Sequence, residues 1–279
     1  RNNYNVFVSD AGNISDSTKD ILIKSSILFE EYSHEKAKTL DPDLVIVSPG
    51  ISPLSDIITF FMAKSIKMIS EIEFASIHCK SQIIAITGSN GKTTITTLTH
   101  KLISDAGFSC SISGNIGNSF SDVCEDDVDF SVLEVSSFQL DRVDNFKPHI
   151  AIITSITPDH LDRYKNFEAY VDSKFKMIKN QSDEDYLIYD SDCKTINKYI
   201  KTKKIKSKLF PFSLKKKVKK GAFFLKNEIN IITHKNKFNM STKNFLVKGN
   251  HSIKNAMAAA TVANLLKIRK ETIRKSLEH

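Results

Sequence analysis

The sequence predicts an α/β protein in which a mostly parallel sheet carries helices on both faces. Apolar, β-branched runs of strand length alternate with helix-forming segments along most of the 279 residues, and repeated βαβ units produce this pattern. One such run, residues 83–87, leads directly into a turn with two glycines and then into a helix-forming segment. Nearer the end of the chain, residues 203–247 change to short β runs separated by polar turns, which predicts an antiparallel excursion.

The individual elements follow from these patterns. Strands are predicted at residues 5–10, 44–50, 68–70, 83–87, 130–135, 150–154, 187–189, 221–225 and 228–232. Helices are predicted at residues 57–66 and, because the segment is rich in alanine, at residues 255–266. A boundary near residues 76–81 separates two predicted domains, residues 1–78 and residues 79–279.

Composition restricts the class of protein. The hydrophobic fraction of 41% and the charged fraction of 26% are ordinary for a globular chain. No apolar run approaches the roughly 20 residues that span a bilayer, and the four scattered cysteines suggest reduced thiols in a cytoplasmic protein. Much of the net charge of +8 comes from residues 194–220, which contain few aromatic residues and no arginine. We therefore expect a solvated lysine face and no nucleic-acid partner.

The glycine turn has the features of a phosphate-binding loop. It reads Gly88, Ser89, Asn90, Gly91, Lys92, Thr93, Thr94. Glycines let the backbone approach phosphates closely, and the start of the following helix favours negative charge. In this pattern Lys92 contacts the β- and γ-phosphates and the Thr93 hydroxyl reaches Mg²⁺. The loop is shorter than the common pattern, because Ile86 stands where that pattern has its first glycine.

Polar side chains at other strand ends are further candidates. Glu134 ends an apolar strand and could hold Mg²⁺, or it could be an acid at a helix start. His160 lies between two acids after the next strand, where it is a metal ligand or an ordinary surface histidine. Asn115, in a turn with two glycines, could contact a substrate or only shape a loop. Asn255 could contact a nucleobase or be an ordinary helix residue.

The first residues have a related pattern. A short strand ends in Asp10, and an acid at the tip of a strand in a dinucleotide-type unit commonly meets a ribose or a base. The glycine-rich turn that should come before that strand is missing, and the chain begins without methionine. We therefore expect the chain to be an internal fragment of a longer protein.

Taken in order, these segments resemble the Mur ligase family. The stretches that carry the resemblance are residues 87–93, 114–117 (Gly-Asn-Ile-Gly), 134–140 (Glu-Val-Ser-Ser-Phe-Gln-Leu), 159–164, Tyr170 with Lys174, and 249–255. The resemblance implies a partial Rossmann-like N-terminal domain that binds a UDP-linked substrate and a P-loop-type central ATPase domain. It also implies a third domain, which this sequence does not contain. Phe138 favours the branch that adds D-glutamate, because sister ligases typically have histidine there.

The resemblance also implies a reaction and its participants. The reaction is ATP-dependent amide-bond formation in peptidoglycan precursor synthesis, by a monomer that joins D-glutamate to UDP-N-acetylmuramoyl-L-alanine through an acyl phosphate. The fragment alone is expected to bind nucleotides without completing that reaction. Alternatives are a sister amino-acid ligase of the folylpolyglutamate or diaminopimelate-adding type, a silent nucleotide-binding remnant, and a simple phosphate-loop hydrolase.

Site residues are implied in the same way. The phosphate loop would bind ATP and Asn255 its adenine. Two Mg²⁺ ions would be held by Thr93, Glu134, His160 and Lys174. Lys174 would be carbamylated by CO₂. The expected catalytic residues are Lys92, His160 and Lys174. Residues expected to contact the UDP-linked substrate are Asp10, Ser48, Pro49, Gly50, Asn115 and Ser137. Two positions depart from the family pattern: Ser252 stands where asparagine is usual, and Ala11 where threonine is usual.

Overall fold

The computed structural model describes residues 4–233, 236–243, 245 and 249–278. It consists of two compact units, Arg1–Ile69 and Ser70–His279. The two compact units meet in the sequence before helix α4 (Glu71–His78), and the predicted domain boundary between residues 78 and 79 stays a prediction. Helix α4 belongs to the second unit, because its Ile72 and Ala75 are fully buried in a core of that unit.

The first unit contains short elements in α/β order. They are β1 (Phe7–Ser9), α1 (Asp16–Lys24), β2 (Leu28–Glu30), α2 (Glu35–Thr39), β3 (Leu44–Val47), α3 (Asp56–Ala63) and β4 (Lys67–Ser70). Strand β1 lies parallel to β2, and β3 pairs with β4. A small core forms around Val47, Ile58 and Phe61. Each strand predicted for this part of the chain is present.

The second unit is built on one sheet, which has nine strands within the described residues. After α4 the elements are β5 (Gln82–Thr87), α5 (Lys92–Asp105), β6 (Cys110–Gly114), α6 (Phe120–Val123), β7 (Phe130–Glu134), α7 (Ser137–Leu140), β8 (Ile150–Ile153), α8 (Phe167–Phe175), β9 (Tyr186–Asp190), α9 (Lys194–Thr202), β10 (Lys208–Ser213), β11 (Gly221–Leu225), β12 (Glu228–Thr233), β13 (Asn236–Ser241), α10 (Asn250–Leu265) and α11 (Lys270–Glu278). The strand order is β13-β12-β11-β10-β9-β8-β5-β7-β6.

Strand β5 lies inside the sheet and is buried on both faces. Its Ile84 and Ile86 join a core that includes residues of α5, α10 and α11, whereas Ile83 and Ala85 join the core on the opposite face. This alternation is the two-residue period of a strand covered by helices on both sides. Burial of β5 therefore fixes the position of the loop that follows it.

The antiparallel part of the sheet is smaller than predicted. Within the described part of this sheet, strand β10 lies parallel to both β9 and β11, and the antiparallel pairs are β11–β12 and β12–β13. Helix α10 also begins at Asn250, earlier than the predicted residue 255. Within the described part of the chain, no helix is both long enough and apolar enough to cross a bilayer. The four cysteines are free.

Gly221 provides a test of the close contact between strands β10 and β11. Its φ is +107°, and a Cβ added there would lie 1.9 Å from the backbone oxygen of Pro211. We expect Gly221→Ala to lower the free energy of unfolding by about 3 kcal/mol or more, because backbone strain and a collision with main chain add together. Urea-induced unfolding of the purified protein measures this loss.

A second glycine separates the two causes. Gly107 has a similar φ of +87°, but a Cβ added there meets no atom within 4 Å. Gly107→Ala should therefore cost only the strain of the left-handed backbone, about 1 kcal/mol. Equal losses in the two variants would contradict the close approach of β10 to the start of β11.

Candidate functional site

The glycine turn joins the buried strand β5 to helix α5. Gly91 is the N-cap of α5 and has a φ of +84°, a left-handed conformation that favours glycine. A Cβ added to Gly91 would lie 2.7 Å from Oδ1 of Asn255, so this side chain of α10 borders the loop. The backbone N–H groups at the start of α5 and the helix dipole make this turn suited to anions.

The loop is held against the end of β8 by hydrogen bonds. Ser89 donates its backbone N–H to the Ser155 carbonyl at 2.7 Å and its hydroxyl to the Thr157 carbonyl at 3.1 Å. The buried Thr154 hydroxyl donates to the Asn90 carbonyl at 2.6 Å. These bonds fix the loop conformation before any ligand binds, so less ordering is required on binding.

Lys92, the first residue of α5, folds back over the loop. Its Nζ donates to the carbonyl oxygens of Gly88 at 3.0 Å and Ser89 at 3.2 Å. The ammonium group is thereby held above the turn, where a phosphate chain would lie.

Glu134 connects the phosphate loop with the Gly-Asn-Ile-Gly turn. It ends β7, which is the neighbour of β5, and its side chain is buried. One carboxylate oxygen accepts the Thr93 hydroxyl at 2.7 Å, and the other accepts the Asn115 amide at 2.8 Å. A carboxylate and a hydroxyl within hydrogen-bond distance are hard oxygen donors of the kind that Mg²⁺ prefers, so these residues fit that ion.

Lys174 is a buried amine beside the same loop. Its side chain lies on α8 and donates from Nζ to the Gly88 carbonyl at 3.2 Å. Nζ also lies 4.6 Å from the ring centre of Tyr170. Burial, together with the nearby positive charge of Lys92, lowers the pKa of Lys174 to about 7. A large share of this amine is therefore neutral near neutral pH, unlike an ordinary lysine.

The lowered pKa of Lys174 makes stability depend on pH. Between about pH 7 and the ordinary value of 10.5, the unfolded chain carries a proton on this lysine that the folded chain lacks, so stability rises with pH. In CO₂-free buffer, the unfolding free energy of the unmodified chain should rise relative to Lys174→Met by about 3 kcal/mol from about pH 7 to about pH 9.5. Urea-induced unfolding of both proteins at each pH measures this difference in unfolding free energy. The same rise with pH should appear relative to Lys174→Gln. A difference in unfolding free energy that does not change with pH would contradict the lowered pKa of Lys174.

His160 lies on the exposed turn after β8. Its backbone has a φ of +51° and donates its N–H to Asp159 at 3.0 Å. The imidazole ring lies 4.8 Å from the Phe138 ring and 6.4 Å from the Tyr170 ring, measured between centres. Within the ranges that the structure describes, no three His, Cys, Asp or Glu side chains form a group that could hold a metal. A metal-binding role for His160 stays a prediction.

The sequence profile of the Mur ligase middle domain matches residues 86–263, more than half of the chain. The chain belongs to the Mur ligase family. A second profile, the MurD N-terminal domain, matches residues 1–57. The resemblance inferred from the motifs is thereby confirmed at the level of the family, and so is the α/β fold with a mostly parallel sheet.

Curated Mur ligases from several bacteria are similar along almost the whole chain. The UDP-N-acetylmuramoylalanine–D-glutamate ligase of Christiangramia forsetii is 46% identical over 279 residues, which cover 99% of this chain and 63% of the relative. The protein of the same name from Bacteroides fragilis is 39% identical, with coverage of 98% and 62%. The chain thus spans somewhat less than two thirds of the length of these relatives.

Solved structures of Mur ligases share the fold. A UDP-N-acetylmuramate:L-alanyl-γ-D-glutamyl-meso-diaminopimelate ligase from Neisseria meningitides aligns with a TM-score of 0.62 at 13% identity, covering 97% of this chain and 89% of that one. A UDP-N-acetylmuramate-alanine ligase from Thermotoga maritima aligns with a TM-score of 0.56 at 19% identity, covering 98% and 62%. At these identities the likeness is one of fold.

The remaining predicted residues of the middle domain occupy varied positions. Ser137 is buried in α7, where its carbonyl accepts the Ser173 hydroxyl at 2.9 Å. Thr94 is exposed in the first turn of α5. Asn255 borders Gly91, so it stands at the loop itself.

Tyr170 and Thr154 contact the phosphate loop or Lys174, although neither was predicted as a site residue. The Tyr170 hydroxyl lies 3.2 Å from the Ser89 hydroxyl, and its ring faces Lys174. The four-residue spacing between Tyr170 and Lys174 places both on one helix face and could have indicated this contact. Thr154 is the first polar residue after the apolar strand β8, which is the position where site residues of parallel sheets occur.

The first unit contains the other predicted substrate residues. Asp10 follows β1, and its carboxylate accepts the backbone N–H of Gly12 at 2.7 Å. Ser48, Pro49 and Gly50 form the turn after β3, where the Ser48 carbonyl accepts the backbone N–H of Ile51 at 3.1 Å. These residues lie at strand ends, where they were expected, and their substrate contacts stay predictions.

Proposed function

We propose that this chain is the N-terminal and middle part of a cytoplasmic, ATP-dependent ligase of peptidoglycan precursor synthesis. The reaction would join D-glutamate to UDP-N-acetylmuramoyl-L-alanine. The observation that carries the proposal is 46% identity over 279 residues to a relative named for this activity. The match of residues 1–57 to the MurD N-terminal domain supports the same branch of the family.

The phosphate loop supports ATP as the energy source. Its backbone N–H groups and the Lys92 ammonium would bind the triphosphate, and Asn255 would lie near the nucleotide at the far side of Gly91. Lys92 would exchange its two carbonyl partners for phosphate oxygens, which are stronger acceptors because they are charged.

Two Mg²⁺ ions are proposed alongside ATP. Thr93 and Glu134 would hold one of them, since they supply hydroxyl and carboxylate oxygens 2.7 Å apart. His160 and a carbamylated Lys174 would hold the other, and both lie against the ring of Tyr170. When bound, the ions supply positive charge that offsets the charge of the phosphate oxygens during transfer.

Carbamylation of Lys174 would convert a cation into an oxygen ligand. The neutral amine forms a C–N bond with CO₂ and releases one proton to solvent, which leaves an anionic carbamate. The burial of Lys174 beside the Gly88 carbonyl supports this step, and so does its lowered pKa, because only an unprotonated amine reacts. Carbon-13 NMR of protein in labelled bicarbonate should show one carbamate resonance, which disappears in Lys174→Gln. Its persistence in that variant would contradict the assignment.

The chemistry requires anionic groups to come together. The L-alanyl carboxylate would attack the γ-phosphorus as ADP leaves, and the amine of D-glutamate would then displace phosphate from the acyl phosphate. Lys92 would reduce the repulsion between the carboxylate and the phosphate oxygens. Asn115 and Ser137 would position the UDP-linked substrate, and Asp10 with the turn of Ser48, Pro49 and Gly50 would contact its uridine and diphosphate.

A direct test uses the full-length gene product. The protein is given Mg·ATP and UDP-N-acetylmuramoyl-L-alanine, with D-glutamate, L-lysine or diaminopimelate supplied separately, and the nucleotide product is weighed by mass spectrometry. An adduct with D-glutamate alone is the expected result. An adduct with another acceptor would assign the chain to a sister ligase, and the absence of any adduct despite ATP binding would overturn the proposal.

A further inference from the structure

Four lysines line one open pocket of about 430 Å³ in the second unit. They are Lys194, Lys198, Lys201 and Lys216, and Asn197 completes the wall. We call this the lysine pocket. It lies beside β9 and β10, whereas the phosphate loop follows β5, so it is a separate feature of the molecule.

Helix α9 presents three of these lysines on one face. Lys194, Lys198 and Lys201 are spaced at i, i+4 and i+7, which brings their side chains into one row. The opposite face of α9 is fixed in the core by the fully buried Ile196 and by Tyr199, whose ring stacks on Phe175 at 3.6 Å between centres. The orientation of the lysine row is therefore set by packing.

Asp192 fixes the opposite wall. Its carboxylate is largely buried and accepts the Ser213 hydroxyl at 2.6 Å and the Leu214 backbone N–H at 2.8 Å. The Ser213 oxygen in turn accepts the backbone N–H of Lys216 at 3.0 Å. These bonds tie the turn that carries Lys216 to the residue that lies two positions before α9.

The lysines of the pocket have no ion-pair partners among the residues that the structure describes; the nearby Asp192 carboxylate pairs with Lys254 at 3.8 Å. In the part of the chain that the structure describes, none of the four ammonium groups has a carboxylate partner within 4 Å. Like charges spaced at i and i+4 on a helix destabilise it slightly. An anionic ligand with several charges would remove this repulsion and use all four donors at once.

The side chains that line the lysine pocket indicate which class of anion it could bind. Lysine ammonium groups bind phosphate as point charges, whereas planar carboxylate recognition generally uses arginine, which is not among the lining residues. The lining also has no aromatic ring on which a base could stack. We propose that the lysine pocket binds a soluble oligophosphate through its phosphate groups. The proposal does not depend on the ligase function.

Tripolyphosphate is a suitable probe for calorimetric titration of the full-length protein. The Lys92→Ala background weakens competing binding at the phosphate loop. In that background we expect one tripolyphosphate site. Its affinity should fall by about tenfold or more when the four pocket lysines are changed to glutamine, because four charge-assisted contacts are lost. Thermal unfolding confirms that each variant is folded.

A matched variant controls for net charge. It replaces four exposed lysines outside the pocket with glutamine, namely Lys80, Lys204, Lys206 and Lys275. This control should retain the tripolyphosphate affinity. Equal loss in both variants, or no tripolyphosphate site in the Lys92→Ala background, would overturn the proposal. Pocket-dependent binding to phosphatidylglycerol vesicles without tripolyphosphate binding would also overturn it and assign the surface to a membrane.

Discussion

Lys92→Met is expected to lower kcat/KM of the full-length protein for ATP in the proposed reaction by about a thousandfold, because it removes the ammonium group that donates to the Gly88 and Ser89 carbonyls of the phosphate loop. Methionine preserves most of the side-chain volume and leaves the bonds from Ser89 and Asn90 to the end of β8 in place. The loop should thus keep its shape while losing its counter-charge. Steady-state kinetics with D-glutamate as acceptor, together with direct ATP binding, measure the effect.

Lys101→Met is the matched control for this prediction. Lys101 lies on the same helix α5, and its partner is the nearby surface residue Asp105 at 2.8 Å. A surface ion pair of this kind contributes about 1 kcal/mol or less to stability, so the control should retain its activity and its unfolding temperature. If Lys92→Met kept more than about a tenth of the original kcat/KM, the proposed role of the phosphate loop would be wrong.

Glu134→Gln is expected to have the second-largest effect, a loss of about a hundredfold in kcat that added Mg²⁺ only partly reverses. The change removes a negative charge from a buried position between Thr93 and Asn115. The new amide N–H₂ can face Thr93, whose hydroxyl would then accept where it now donates, or it can face the Asn115 N–H₂, in which case that hydrogen bond is lost. A Mg²⁺ titration of activity and ATP binding measured without metal test these consequences.

Comparing Mg²⁺ affinity with metal-free ATP binding in Glu134→Gln distinguishes a metal-binding role of Glu134 from a structural one. If Glu134 holds Mg²⁺, the apparent affinity for the metal should fall while metal-free ATP binding changes little. Glu168→Gln, a change at an exposed glutamate in the first turn of α8, should leave both unaltered. An equal decrease of ATP binding with and without metal would show that Glu134 only supports the loop.

Local sequence was sufficient to predict the elements that carry the site. The strand over residues 83–87, its glycine turn and the helix from Lys92 were predicted because their signals lie within a dozen neighbouring residues. Glu134 was placed at a strand end for the same reason, and its bond to Thr93 follows from the pairing of β5 with β7.

Pairings between distant segments were predicted less well. The parallel position of β10, the start of α10 at Asn250 and the packing of α4 with the second unit all depend on contacts far apart in the sequence. A short apolar run such as β10 can pair in a parallel or an antiparallel orientation, so the strands packed beside it decide which orientation forms.

The sequence by itself determined the α/β class, the phosphate loop, the candidate acid Glu134 and the family, because each depends on residue types at short, fixed spacings. The tertiary structure alone decided that Lys174 is buried against the Gly88 carbonyl, that Asn255 meets Gly91, and that four lysines surround one pocket. Burial and proximity arise when remote segments pack together. The lowered pKa of Lys174 and the clustering of four lysines around one open pocket are consequences of that packing.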